Sequence, residues 1–152
     1  MLKQQKFALM EPEIKYLPND LLLGEISQIL SQGKDVQLMA RGSSMLPFIV
    51  GDRDSVRMRR METVAPGDIV LAEIRQGVYV LHRVVSIVGE EVTLMGDGNL
   101  RGCEKCRIGD IKGTVFEIVG RDNRVRKPAK GRFWKALKPI RRILLAVIRR
   151  VI

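Results

Sequence analysis

The sequence predicts a mainly β domain, a barrel or coiled sheet, with a helix before it and a helix after it. Three observations predict this. Short β-branched or alternating runs follow one another closely at residues 54–59, 69–74, 78–88, 91–95 and 113–119. Gly-Asp pairs punctuate them at Gly51-Asp52, Gly67-Asp68, Gly96-Asp97 and Gly109-Asp110. Such pairs suit turns, because glycine tolerates positive φ and aspartate bonds its neighbouring backbone. Apolar residues at helical spacing mark the segments on either side, Leu22, Ile26, Ile29 and Leu30 before the stretch and Phe133 to Val151 after it. Closely spaced strands with turn signals favour a barrel or coiled sheet over a parallel βαβ layout.

Taken in order, residues 17–30 read as a helix. Asn19 or Asp20 caps it after Pro18, Leu22, Ile26, Ile29 and Leu30 share one face, and Gly33 ends it. Residues 36–40 form a strand leading into Arg41-Gly42-Ser43-Ser44. Gln76-Gly77 and Gly89-Glu90 are hairpin tips. Residues 121–131, holding Pro128, are a polar basic linker. In the last segment Phe133, Leu137, Ile140, Leu144, Val147, Ile148 and Val151 fall within an arc of about 100°. Lys135, Lys138, Arg142 and Arg149 lie opposite, and Pro139 kinks the helix or starts its main part. The organisation is therefore an N-terminal helical segment (1–35), a β core (36–120), a basic linker (121–131) and an amphipathic cationic helix (132–152).

A chain of 152 residues, 45% apolar, makes one domain with a real core and room for one appendage. Its net charge of +10 is unevenly placed. Residues from Arg121 onward hold twelve of the 27 basic residues and one of the 17 acidic ones, leaving 15 and 16 for the remainder. The body is nearly neutral and the tail carries the excess, which points to a cationic attachment device. The first thirteen residues mix lysines, glutamines and acids around a short apolar run and do not read as a secretory signal. No stretch approaches the roughly 20 apolar residues that span a bilayer. Cys103 and Cys106 form a single C-x-x-C pair. Zinc wants four ligands and His82 is the only histidine, so the pair reads as a turn carrying two thiols, and no metal or cofactor is expected.

Ser44 lies in Ser44-Met45-Leu46-Pro47, and the single histidine follows 38 residues later. No lysine occurs between Lys34 and Lys105. A serine hydroxyl needs a partner that accepts its proton as it attacks, so a nucleophilic Ser44 would depend on His82, whose neutral imidazole suits that task. Read singly, each residue has a plainer role: Ser44 bonding a local bend, and His82 as a core histidine among Val80, Leu81, Val84 and Val85.

The ordered set Gly42-Ser43-Ser44-Met45-Leu46-Pro47, Gly51-Asp52, Gly67-Asp68-Ile69-Val70, Leu81-His82-Arg83-Val84-Val85 and Gly96-Asp97-Gly98-Asn99 resembles the signal peptidase and LexA-repressor clan of serine peptidases. The resemblance covers residues 36–119. Most bacterial members pair the serine with a lysine, whereas the endoplasmic-reticulum and archaeal signal peptidases use a histidine within His-Arg-Val, as in His82-Arg83-Val84. The resemblance implies a coiled β-barrel peptidase core, Ser44 as nucleophile, His82 as general base, and an oxyanion and substrate loop of Ser43, Met45 and Pro47. The family's Ser-Gly before the catalytic serine is Gly42-Ser43 here, which leaves the backbone N–H of Ser44 as oxyanion donor. The family's third acid is an aspartate, absent from residues 100–104, so either Asp97 or Glu104 orients His82.

The tail, with Phe133, Trp134, Leu137, Ile140, Arg141, Arg142, Leu144, Val147 and Ile148, suits an interfacial helix on an anionic membrane surface. Packing on the protein's own body is the second reading of that face. Nucleic acid is the least favoured, since it would leave the apolar face unused in water. The leading expectation is a peripheral membrane serine endopeptidase, on the cytoplasmic face, that trims a leader or precursor peptide. The alternatives are a LexA-like self-cleaving regulator and a non-catalytic membrane adaptor of the same fold.

Overall fold

In a computed structural model, which describes residues 4–9 and 14–152 with side chains from residue 21 onward, ten strands form one antiparallel sheet. They are β1 (Gln4–Leu9), β2 (Ile14–Pro18), β3 (Val36–Met39), β4 (Ser55–Arg59), β5 (Ile69–Arg75), β6 (Val78–Val88), β7 (Glu91–Met95), β8 (Glu104–Arg107), β9 (Ile111–Val119) and β10 (Val125–Arg126). Three helices accompany them: α1 (Asn19–Ser31), α2 (Arg132–Ala136) and α3 (Arg141–Val151). The strand order is β2-β1-β3-β4-β9-β5-β6-β7-β8, with β10 added to β9.

This order corrects the expected barrel to an open sheet, because among the described residues nothing pairs β2 with β8. The sheet bends at four register shifts, Arg57/Met58, Leu71/Ala72, Glu73/Arg75 and Val84/Ser86. Such bulges bend a strand and increase its twist. The outer strand β8 is four residues long and carries Glu104, Lys105 and Arg107, a short charged edge that discourages further pairing.

Alternation along β5 divides the core in two. Ile69 and Leu71 join Leu22, Ile26 and Leu30 of α1 with Val36, Leu38, Val56 and Met58. Val70 and Ala72 face the other way, onto Val84, Val92, Leu94 and Cys106. A strand buried on both faces reads as a continuous apolar run.

Two stretches differ from expectation. The N-terminal segment carries β1 and β2 ahead of α1, and β1 pairs with β3 at Phe7↔Leu38 and Leu9↔Val36. The addition satisfies backbone groups of β3 that would otherwise lie at an open edge. The expected caps Asn19 and Asp20 lie outside the described side chains. The basic linker is tied down: Val125 and Arg126 pair with Val119 and Ile118, and Lys130 is bonded to Asp68.

Arg126 also donates to the carbonyl of Phe48 at 2.8 Å and to Asp54 Oδ2 at 2.9 Å. Asp54 is fully buried and further accepts from the Val50 N–H (3.0 Å) and Arg53 Nε (3.1 Å). Burial alone would raise its pKa, but the bonds from Val50, Arg126 and Arg53 outweigh it and hold the carboxyl below the usual range. The unfolded chain, with its ordinary carboxyl, therefore takes up the proton first on acidification. The stabilisation is present above the ordinary carboxylate pKa and lost as pH falls through the lowered one. Asp54→Asn should cost about 1–3 kcal/mol at neutral pH and flatten the acid limb of the stability curve, as read by urea unfolding across pH. A variant as acid-sensitive as the parent would exclude this role.

The C-terminal segment breaks at residues 137–140, around Pro139, and α3 begins at Arg141. Its apolar arc is split rather than wholly free. Trp134 and Leu145 are buried with Leu46 and Val50, and Leu137, Leu144 and Ile148 pack against them. Arg141 is buried as well. Trp134, Leu137, Leu144, Ile148 and Arg141, expected at a membrane, thus face the protein's own body. Phe133, Ile140, Ile143, Val147 and Val151 form the exposed stripe. The apolar arc is wide enough for both, because a single α-helix can bury one side of such an arc and leave the other side in water. No helix among the described residues is long and apolar enough to cross a membrane.

Candidate active site

Ser44 follows β3 on a loop closed at its base by two backbone bonds, Ala40 N–H to Asp54 O (2.9 Å) and Asp52 N–H to Ala40 O (2.8 Å). Just beyond Ser44 the chain coils tightly: the Met45 carbonyl accepts from the N–H groups of Phe48 and Ile49, both at 3.0 Å. Met45 and Leu46 anchor the loop by entering different apolar clusters. The Leu46-Pro47 peptide is cis.

Ser44 and His82 line one cavity of about 240 Å³. Leu23, Leu38, Leu71, Tyr79 and Leu81 give it an apolar wall, and Met45 contributes from the loop. Ser43 and Pro47 do not line it. Ser43 instead shapes the loop, its carbonyl accepting the Leu46 N–H at 3.3 Å. Among the described residues neither Ser44 nor Met45 donates its N–H to a backbone carbonyl, so both amides are available to an oxyanion.

His82 is held by the sheet. It lies on β6 opposite Val70, with 7% of its surface exposed. Its Nδ1 is 2.8 Å from Glu104 Oε2. The register explains the meeting. Val84 faces Leu94 across β6 and β7, and Leu94 faces Glu104 across β7 and β8. His82, two residues before Val84, shares the face on which Glu104 stands. With Nδ1 occupied by a carboxylate, Nε2 is the nitrogen left for proton transfer.

Asp97 does not orient His82, which corrects the first of the two expected orienting acids. Arg83 takes both its oxygens, Nε to Oδ1 and Nη2 to Oδ2, each at 2.7 Å. Arg83 Nη1 donates to the carbonyls of Gly67 and Ala129, both at 2.7 Å. The guanidinium stacks on Phe48 at 5.0 Å, and Arg83 and Asp97 are both buried. In the sequence Arg83 stands out only as a member of the Leu81-His82-Arg83-Val84-Val85 motif, with no role of its own. The signal was that a strand side chain between two apolar runs needs an acid, and Asp97 follows on the next strand's exit.

This ion pair fixes the loop that carries the serine. Next to Asp97, the Gly98 N–H donates to the Ser44 carbonyl at 2.7 Å. A Cβ at Gly98 would stand 2.3 Å from the Ser43 carbonyl, and one at Gly96 would stand 2.4 Å from that of Ser44. Only glycine permits this approach. Gly98→Ala should therefore cost about 1–3 kcal/mol of stability through overpacking and displace Ser44. Amide exchange and thermal unfolding of the variant check this, and unchanged protection at Met45 to Ile49 would contradict it.

An edge suited to an extended peptide lies beside the cavity. Val78 to Leu81 pair with β5 on one side, whereas β7 begins its pairing with β6 only at Arg83. Among the described residues the other side of that half-strand is unpaired. Cys103 is exposed and Cys106 buried. Burial, with Asp110 adding to it, pushes the Cys106 thiol up to about 11, so it stays a neutral thiol near pH 7. No three His, Cys, Asp or Glu side chains among the described residues converge as a metal set.

No family model matches the chain, and no curated protein matches it.

Proposed function

We propose that the protein is a serine endopeptidase of signal-peptidase type that cleaves a leader or precursor peptide near a membrane. Two observations carry this reading: Ser44 and His82 line one cavity, and Glu104 is hydrogen-bonded to the imidazole. Ser44 Oγ attacks the scissile carbonyl as His82 Nε2 takes its proton. Glu104 accepts from Nδ1–H and stabilises the imidazolium. The amides of Ser44 and Met45 bind the oxyanion, and His82 returns the proton to the leaving amine. Water then releases the acyl-enzyme by the same route.

The substrate lies extended against Val78 to Leu81, paired through its main chain, with an apolar side chain in the pocket of Leu23, Leu71 and Tyr79. The exposed stripe of α3 with its surrounding cations keeps the enzyme at an anionic membrane surface.

The test is cleavage of precursor peptides by the purified protein and by Ser44→Ala and His82→Ala. Loss of cleavage in both variants is the expected result, and cleavage that survives both would overturn the reading. Incubating the protein alone, with intact mass as readout, separates this reading from a LexA-like self-cleaving regulator.

A further inference from the structure

A second cleft, of about 300 Å³, is lined by the Gly96-Asp97 turn and the start of the C-terminal segment, and Ser44 is not part of it. Its polar lining is Arg83, Asp97, Lys135, Lys138 and Arg141, with Trp134 as its aromatic wall. Asp97 is the single acid there, and Arg83 already occupies both its oxygens. Three cations, Lys135, Lys138 and Arg141, thus share the cleft with no carboxylate left to balance them.

Arg141 is the telling residue. It is 7% exposed, and its buried Nε has no hydrogen-bond partner. Its guanidinium packs over Trp134 at 5.6 Å. A buried guanidinium donor left unpaired is costly unless a ligand completes it. The first turn of α3, where Arg141 sits, has no acidic residue and no capping side chain, so the positive end of the helix dipole adds to the same field. A tetrahedral oxyanion with several acceptor oxygens fits such a forked and point-charge donor set.

We propose that this cleft binds a phosphate group, and that the phosphate is a membrane lipid headgroup. Charge complementarity and the neighbouring apolar stripe of Ile140, Ile143, Val147 and Val151 set the source: a headgroup seated between Lys138 and Arg141 leaves acyl chains beside that stripe. The choice of a lipid rests on the membrane part of the reading above. The phosphate site itself rests on Arg141 and is independent of proteolysis.

Trp134 is the only tryptophan and reports on the cleft directly. Its fluorescence is followed as the full chain is titrated with inorganic phosphate against chloride at equal ionic strength. It is then titrated with phosphatidate-containing phosphatidylcholine vesicles, and with oleate-containing vesicles of equal surface charge. Saturable responses to phosphate, and tighter binding to phosphatidate than to oleate vesicles, are expected. Lys138→Gln and Arg141→Met should each weaken phosphatidate binding roughly tenfold, whereas Arg60→Gln and Arg75→Gln, exposed on the β body and outside the cleft, should change it far less. Lys138 is exposed, so its variant keeps the test decisive if Arg141→Met unfolds. Equal losses in all four variants, or no saturable response to either phosphate source, would overturn the site. A response to inorganic phosphate without preference for phosphatidate would overturn the lipid assignment. Peptide cleavage is assayed separately, so failure here is distinguishable from failure of the peptidase reading.

Discussion

Alanine at Ser44 or at His82 is expected to lower kcat for peptide cleavage by about 10⁴-fold or more, with the double variant no worse than either single one. Nucleophile and base act as one unit, so removing either removes the proton-coupled attack. Glu104→Gln should lose less, on the order of 10²–10⁴-fold. Glutamine keeps the length of the side chain but no longer carries the charge that stabilises the imidazolium. Its amide can also accept from Nδ1–H, so ring orientation is largely kept, and the loss should fall on kcat rather than KM. Steady-state kinetics on one precursor peptide checks the ranking. An Asp97→Asn effect on kcat without loss of stability, paired with a silent Glu104→Gln, would reverse the assignment of the orienting acid.

The second large effect is on folding. Arg83→Met should destabilise the protein by about 3–5 kcal/mol, because it leaves the Asp97 carboxylate buried without its cation. The double variant Arg83→Met with Asp97→Leu should recover part of that loss, since an apolar pair no longer strands a charge. Urea unfolding of the three proteins measures the coupling. The same substitutions should loosen the serine loop, because Asp97 and its neighbours tie three elements together. The Asp97 carbonyl accepts the Trp134 indole N–H at 2.8 Å, and Gly98 holds the Ser44 carbonyl. Additive losses in the double variant would show that the pair carries no special energy.

Much of the β body was legible from residue pattern. The bounds of β6 and β7 agree with the sequence reading, as does the break of the last helix near Pro139. Long β-branched runs and proline are strong local signals. The strand β8, with sequence Glu-Lys-Cys-Arg, carried no such signal. It forms because β7 offers an edge, and an edge strand is permitted to be charged. Glu104 was therefore the alternative to Asp97 in the sequence, and only the three-strand register places it beside His82. Asp97 was the nearer motif residue, but Arg83, on the same strand as His82, takes both its oxygens. The last helix posed a different problem. Periodicity identifies an apolar arc but not which part of it a neighbouring surface covers, so the inward turn of Trp134, Leu144 and Ile148 depended on where Leu46 and Val50 sit.

Covalent capture tests the central claim most directly. The protein is treated with a phosphonate probe that reacts only with activated serine hydroxyls, digested, and mapped by mass spectrometry. The account predicts a single adduct on Ser44 that disappears in His82→Ala and is reduced in Glu104→Gln. An adduct formed equally well without the imidazole, or no adduct on Ser44 in the parent protein, would contradict it.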